Sequence, residues 1–198
     1  MKKFLPLIII AVVAIGIYAW VKGINNTAVT LNENIKESWG NVETAYERRN
    51  SLIGNLVNTV KGAADFEKST LEAVVNARAK ATQTTVDASN VTPEQLAAFS
   101  QAQSGVNSAL SRLLVSVERY PDLKANQNFI KLQDELVSTE NQILTARTRF
   151  NETVKPYNNH IKVFPNNLLA GILGFTEKGY FKASEGAEKA PEVNFDFK

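Results

Sequence analysis

The feature that most restricts this chain is an unbroken apolar run near its start. Met1-Lys2-Lys3 leads into residues 4–21, a stretch of 18 residues with no charged side chain. As a helix rising about 1.5 Å per residue, the run is roughly 27 Å long, close to the hydrocarbon thickness of a bilayer. Pro6 falls in its first turn, where a missing N–H does little harm. Tyr18 and Trp20 stand near its far end, where amphipathic rings favour the headgroup layer. A cleaved signal peptide starts in the same way but needs small residues before its cut. Here the run closes Ile17-Tyr18-Ala19-Trp20-Val21-Lys22, bulky where small residues are wanted, and without Cys no lipoprotein anchor is possible. Residues 1–24 therefore read as a retained single-pass anchor in a cell membrane. Lys2, Lys3 and the amino terminus outweigh Lys22, which places the start of the chain in the cytoplasm and the remainder outside it.

The remainder can fold and carries few reactive groups. Hydrophobic residues make 44% of the chain and charged residues 21%, enough to bury a core. Lys plus Arg is 22 against 20 for Asp plus Glu, and a net charge of +2 removes the bulk electrostatic case for nucleic acid as a partner. With no Cys and one histidine, His160, there is no thiol nucleophile and no multi-histidine metal centre. A di-metal carboxylate bundle needs Glu three residues before His, and the residue three before His160 is Tyr157. No Ser precedes Lys by three positions, and neither a phosphate-cradling glycine loop nor a His-Glu-x-x-His helix occurs. No cofactor or metal and no enzymatic activity is expected.

Beyond the anchor the apolar pattern is helical. Ile35, Trp39, Val42, Tyr46, Arg49, Ile53, Leu56 and Val60 step by fours and threes, a coiled-coil-like seam with one charged member. The phase weakens around Gly62-Ala63-Ala64-Asp65, a place for a kink or a turn, and resumes at Leu71, Val74 and Arg78. After a polar connection at residues 87–91, Thr92-Pro93-Glu94-Gln95 has the pattern of a capping box with proline at the first helical position. The seam that follows is Leu96, Phe99, Gln103, Val106, Leu110, Leu113, Val117 and Tyr120, ended by Pro121. A third run from near Lys124 carries Phe129, Leu132, Leu136, Thr139, Ile143, Ala146, Phe150, Tyr157, Ile161 and Phe164. Pro156 is expected to interrupt and kink it. Residues 168–173 are apolar but too short to span a bilayer, and read as a cover over one bundle end or as a shallow membrane contact. From Thr176 the chain reads as a tail. Its end, Val193-Asn194-Phe195-Asp196-Phe197, is either frayed or docked as an extended strand.

Several motifs carry a family resemblance. The first seam contains Arg48-Arg49-Asn50-Ser51-Leu52-Ile53-Gly54-Asn55-Leu56-Val57 and then Val60-Lys61-Gly62, Glu67 and Ala77-Arg78. The centre reads Glu118-Arg119-Tyr120-Pro121-Asp122-Leu123-Lys124-Ala125-Asn126. Leu132-Gln133, Thr139-Glu140-Asn141, Ala146-Arg147, Phe150-Asn151, Tyr157-Asn158 and Phe164-Pro165-Asn166-Asn167 follow. Together these resemble the LemA family over residues 25–198. The resemblance implies an up-and-down helical bundle on one membrane anchor and no established catalytic activity. Gly54 stands where the family usually has Pro, and Phe150 where Tyr is usual.

The expected architecture is all-α: one transmembrane helix, then an antiparallel bundle of three long helices, the first open to a kink near Gly62. Its expected divisions are an anchor (1–24), a bundle domain (25–175) and a tail (176–198). Arg49 lies in a seam, where a buried guanidinium needs partners, and Glu118, Glu140 and Arg147 flank the facing seams. Arg49, Arg78, Glu118, Glu140, Asn141 and Arg147 are accordingly the candidates for structural or interaction roles, as a network that fixes helix register. Asn55, Asn141, Asn151 and Asn158 are expected to bridge helices, or else to mark a lateral interface with another copy, and His160 to sit at a bundle end or in solvent. The third run is about 60 Å long if straight, longer than a small compact bundle needs. That length points to a non-enzymatic envelope scaffold, partnered by the bilayer through residues 4–21 and by its own copies or other envelope proteins. The alternative is an envelope ligand-binding module for a lipid or cell-wall fragment, which requires an enclosed apolar pocket.

Overall fold

The computed structural model describes residues 4–62 and 66–183. The expected docking of residues 193–197 and the chain path through Ala63-Ala64-Asp65 lie outside the described residues. Every regular element described is helical, with no strand among the described residues: α1 (Leu5–Lys61), α2 (Lys68–Gln83), α3 (Pro93–Val117), α4 (Pro121–Lys124), α5 (Gln127–Lys162) and α6 (Asn167–Ala170).

Two boundaries differ from expectation. The apolar run and the first seam are one helix: α1 is 57 residues long without a break, about 85 Å. At its other end α1 stops at Lys61, with Gly62 as its C-cap, and α2 starts after Glu67. Among the described residues the bundle therefore has four helices of 16 residues or more, α1, α2, α3 and α5, rather than three. No proline and no β-branched run marks the break, so periodicity could show only that the phase slipped.

Contacts fix the chain directions. Along α1, Ile24, Trp39 and Arg49 meet His160, Phe150 and Glu140 of α5 in turn, so α5 runs antiparallel to α1. Trp39 meets Phe99, and Arg49 meets Gln103 and Asn107, so α3 runs parallel to it. Arg119 beyond the end of α3 pairs with Glu67 before the start of α2, as a return in the opposite sense requires.

The local signals behind these helices are visible in the bonds. Thr92 Oγ1 accepts from the Gln95 backbone at 3.3 Å while Gln95 Oε1 accepts from the Thr92 N–H at 3.2 Å, the reciprocal capping box. Asn126 Oδ1 caps α5 by accepting from the Asn128 and Phe129 N–H groups. The helix then continues through Pro156 instead of being interrupted there. Pro156 and Glu152, whose carbonyl loses its partner, are both exposed, so water can serve the freed oxygen. All eight residues of the first seam are buried. Phe164, expected to extend the third seam, is instead 79% exposed, because α5 ends at Lys162.

Two apolar clusters make the core. One gathers Trp39, Tyr46, Phe99, Phe150, Tyr157 and Phe181, with Trp39 edge-on to Phe99 and Phe150 at centroid distances of 5.4 and 5.5 Å. The other, around Leu56, Val60, Val106, Leu113 and Phe129, lies toward the end of α1 remote from the apolar run. Arg49 sits in sequence between the α1 contributions to the two.

The α1 stretch before the bundle is bare. Its large apolar side chains from Phe4 to Tyr18 are 54–68% exposed, whereas Ile24 is 3% exposed. Within two turns α1 passes from exposed apolar side chains to a segment packed against α5. This stretch is long and apolar enough to cross a membrane.

Candidate functional site

Burying a guanidinium is tolerable only if its donors are used. Arg49, 1% exposed, reaches across two helix interfaces. Its Nη1 donates to Asn107 Oδ1 at 2.8 Å and to Glu140 Oε1 at 3.1 Å, and its Nη2 donates to Gln103 Oε1. The guanidinium also lies 4.9 Å from the Tyr46 ring centroid. One cation thus ties α1 to α3 through two amides and to α5 through one carboxylate. Glu140 is 42% exposed, so one side of the node opens to water and the ion pair is partly screened.

Arg147, seven residues after Glu140, serves the next level. Its guanidinium lies 4.6 Å from the Phe181 ring centroid and donates to the Lys182 carbonyl at 3.0 Å. Burial raises the Tyr46 phenol above its ordinary value, while Arg147 and Arg49 pull it back down. The chemistry here is neutral amide, fixed cation, one ion-paired carboxylate and phenol, which suits holding helices in register.

Other sequence candidates lie elsewhere. Glu118 does not meet Arg49, since it stands eleven residues beyond Asn107, about 16 Å along α3. It pairs with Lys124 across the turn between α3 and α4. In that same turn Arg119 reaches Glu67 at 3.2 Å, Tyr120 packs on Phe66 at 5.0 Å, and Leu123 is buried. Glu67 is held below the usual carboxylate range, first by the Ser69 hydroxyl and then by Arg119. Arg78 lies over Gly54 of α1, its Nη1 3.5 Å from where a Cβ would stand. Asn141 is exposed on α5, and its backbone carbonyl accepts from Thr145 Oγ1 at 2.9 Å. His160 is half-buried at the bundle end; because a carbonyl can only accept, its Nε2 carries the proton donated to the Ile24 carbonyl at 3.0 Å.

The asparagines do something the sequence did not suggest. Asn151 and Asn158 hold the segment after α6 rather than another helix. Asn158 Nδ2 donates to the Lys178 carbonyl and its Oδ1 accepts from the Lys178 N–H, both at 2.9 Å. Asn151 treats Phe181 identically, again with both bonds at 2.9 Å. Seven helical residues rise about 10.5 Å, and three residues of extended chain cover about 10 Å, so the two spacings match. Asn55, in contrast, is exposed.

This strap, residues 176–183, belongs to the region assigned to the tail, yet it packs on the bundle. Phe181 is 6% exposed in the aromatic cluster, and the Gly179 N–H donates to the Val91 carbonyl at 3.0 Å. Lys178 is 4% exposed; its Nζ donates to the Ser89 carbonyl at 2.7 Å and lies 5.5 Å from the Tyr157 ring centroid. Burial pushes the Lys178 ammonium below the usual lysine range.

The surface depression bounded by Asn34, Glu37, Asn41, Arg149 and Glu152 is open and polar. Among the described residues no three His, Asp or Glu side chains gather as metal ligands.

The LemA family model matches residues 38–195. This chain belongs to the LemA family. The match takes in the Arg49 node and the asparagine clamp of this LemA-family chain and begins after its apolar run. Protein LemA of Metamycoplasma hominis is 25% identical over 179 residues, covering 90% of this chain and 78% of that protein. Magnetosome protein MamQ 2 of Paramagnetospirillum magneticum is 30% identical over 178 residues, covering 79% of this chain. Magnetosome protein MamQ of Magnetospirillum gryphiswaldense is 29% identical over 177 residues, again covering 79% of this chain. The LemA-family chain spans 64% of the length of each of these MamQ proteins. Gly54, where the resemblance expects proline, lies inside an unbroken α1.

Proposed function

We propose that this LemA-family chain is a non-enzymatic scaffold of the cell envelope, anchored by residues 4–21 and carrying its bundle outside the cytoplasm. The observation that carries the reading is the continuity of α1. A single helix bears the exposed apolar run and the buried seam, so a force or position set at the membrane passes directly into the bundle. The polar side chains named above are engaged structurally: Glu140 serves Arg49, Glu118 serves Lys124 at the surface, and Asn151 and Asn158 serve backbone.

The lateral surface supports the recruitment of partners. Ile130, Val137 and Leu144 on α5 are 39%, 65% and 63% exposed. Their seven-residue spacing sets them on one face, the seam geometry of helix pairing, with Asn141 between the last two. A second copy of the chain or another envelope protein with an apolar helix suits that stripe. The MamQ relatives are named for a cellular body rather than for a reaction, which fits a role in assembly. A lipid or cell-wall ligand is favoured less, since the depression beside Arg149 is open and polar instead of enclosed and apolar.

In-cell photo-cross-linking from Val137 and Leu144 tests the proposal. Capture of a defined partner or of a second copy, abolished by Leu144→Glu, is the expected result. A particle that stays monomeric and partner-free across cross-linking conditions contradicts it.

A further inference from the structure

We propose that the turn after α5 is a second membrane contact, an apolar wedge that enters the headgroup layer beside α1. The inference rests on the anchoring of residues 4–21 proposed above. It begins from the height of the α5 end. His160 bonds the Ile24 carbonyl, and Ile24 stands three residues past Val21, the last residue of the apolar run. Three residues of helix rise about 4.5 Å, and the headgroup layer of each leaflet is roughly 5–7 Å deep. The end of α5 therefore lies inside that layer.

The chain then goes lower. Because α5 runs antiparallel to α1, its last residues after His160, Ile161 and Lys162, move toward the bilayer, and Val163 and Phe164 follow them directly in the chain. The turn is held there: Asn166 Nδ2 donates to the His160 carbonyl at 3.0 Å, and the Asn167 N–H donates to the Val163 carbonyl at 3.0 Å.

Large apolar side chains of this turn and at α6 are bare. Val163, Phe164, Leu168 and Ile172 are 51%, 79%, 58% and 81% exposed, as open as the apolar run itself. Ala170 is buried and anchors α6 in the aromatic cluster. Four large apolar side chains within ten residues form a patch that water disfavours and that an acyl–headgroup boundary accepts. A wedge next to a single-helix anchor would stop the long bundle from swinging freely about α1.

The absence of Cys makes the test clean. Full-length chains bearing one substitution, Phe164→Cys, Ile172→Cys, Ile10→Cys or Val115→Cys, are nitroxide-labelled and reconstituted in phosphatidylethanolamine–phosphatidylglycerol vesicles. Helical circular dichroism confirms folding, and power saturation compares collisions with oxygen and with a nickel chelate. Labels at positions 164 and 172 should favour oxygen several-fold over the label at 115, approaching that at 10. If they match position 115 while position 10 is lipid-embedded, the wedge is wrong and the anchor stands. If position 10 is itself aqueous, anchor and wedge both fall. Shielding from both collision partners with dipolar broadening would replace the bilayer by a second copy and also overturn the proposal.

Discussion

The side-chain amide of Asn158 brackets the backbone of Lys178, giving one hydrogen bond to its carbonyl and taking one from its N–H. In effect, a helix side chain acts as the neighbouring strand for one residue of the strap. Both partners are buried, so neither lost bond is replaced by water without opening the contact. Asn158→Ala should cost about 2–4 kcal/mol, the penalty for two buried backbone groups left unpaired. Hydrogen exchange at the Lys178 and Phe181 amides should accelerate in step with that loss. Unchanged exchange there would separate the strap from the clamp.

The Arg49 node predicts an asymmetry between its partners. Arg49→Ala removes the donor for three acceptors and leaves a cavity between helices, a loss of about 3–5 kcal/mol. Glu140 is 42% exposed, and Glu140→Gln should cost about 1 kcal/mol or less because water screens the pair. Urea unfolding of the two variants checks the order. Equal losses would mean that the carboxylate, and not the pair of amides on α3, is what holds Arg49.

Two glycines should respond in opposite directions. A Cβ at Gly54 would meet Arg78 at 3.5 Å, an ordinary contact, so Gly54→Ala should gain about 0.5–1 kcal/mol from helix propensity. A Cβ at Gly179 would lie 2.9 Å from Pro93 Cα, and backbone at the α3 start has no room to yield. Gly179→Ala should lift the strap and lower the melting temperature, where Gly54→Ala raises it.

Lys178 gives a pH dependence with a definite sign. Burial lowers its folded pKa, Lys36 lowers it further, and Asp87 partly restores it. Between that lowered value and the ordinary lysine value the unfolded chain binds more protons, so this group's contribution to stability rises with pH. Below the window both states are protonated and the contribution is flat. The stability of the native chain minus that of Lys178→Met should therefore climb on the alkaline side toward the ordinary lysine value. Tyr157, whose phenol is raised by burial, is present in both chains. A difference that falls with pH would contradict the burial of the ammonium.

Much of the bundle was legible because helix burial leaves a periodic trace. The three–four stepping from Ile35 to Val60 marked eight residues, all buried, and the capping box at Thr92 marked a real helix start. The slip in phase at residues 62–65 marked the place where α1 ends, but whether it meant a kink or a break between two helices was not legible from periodicity. Arg49 announced itself as a charge in a seam, yet its amide partner Asn107 lies one position outside the α3 seam and carried no signal. The strap was hidden for a different reason. Its clamp consists of side chain to backbone bonds, which any residue but proline at 178 or 181 could supply. The seven-residue spacing of Asn151 and Asn158, each following a core aromatic, was the trace available.

The central claim is that residues 4–21 remain part of the chain and hold the bundle to lipid through one continuous helix. Intact mass spectrometry of the protein from alkaline-washed membranes tests it most directly. The account predicts a polypeptide retaining residues 4–21 that leaves the pellet only with detergent. A chain that begins beyond Trp20 and appears in the wash would contradict it.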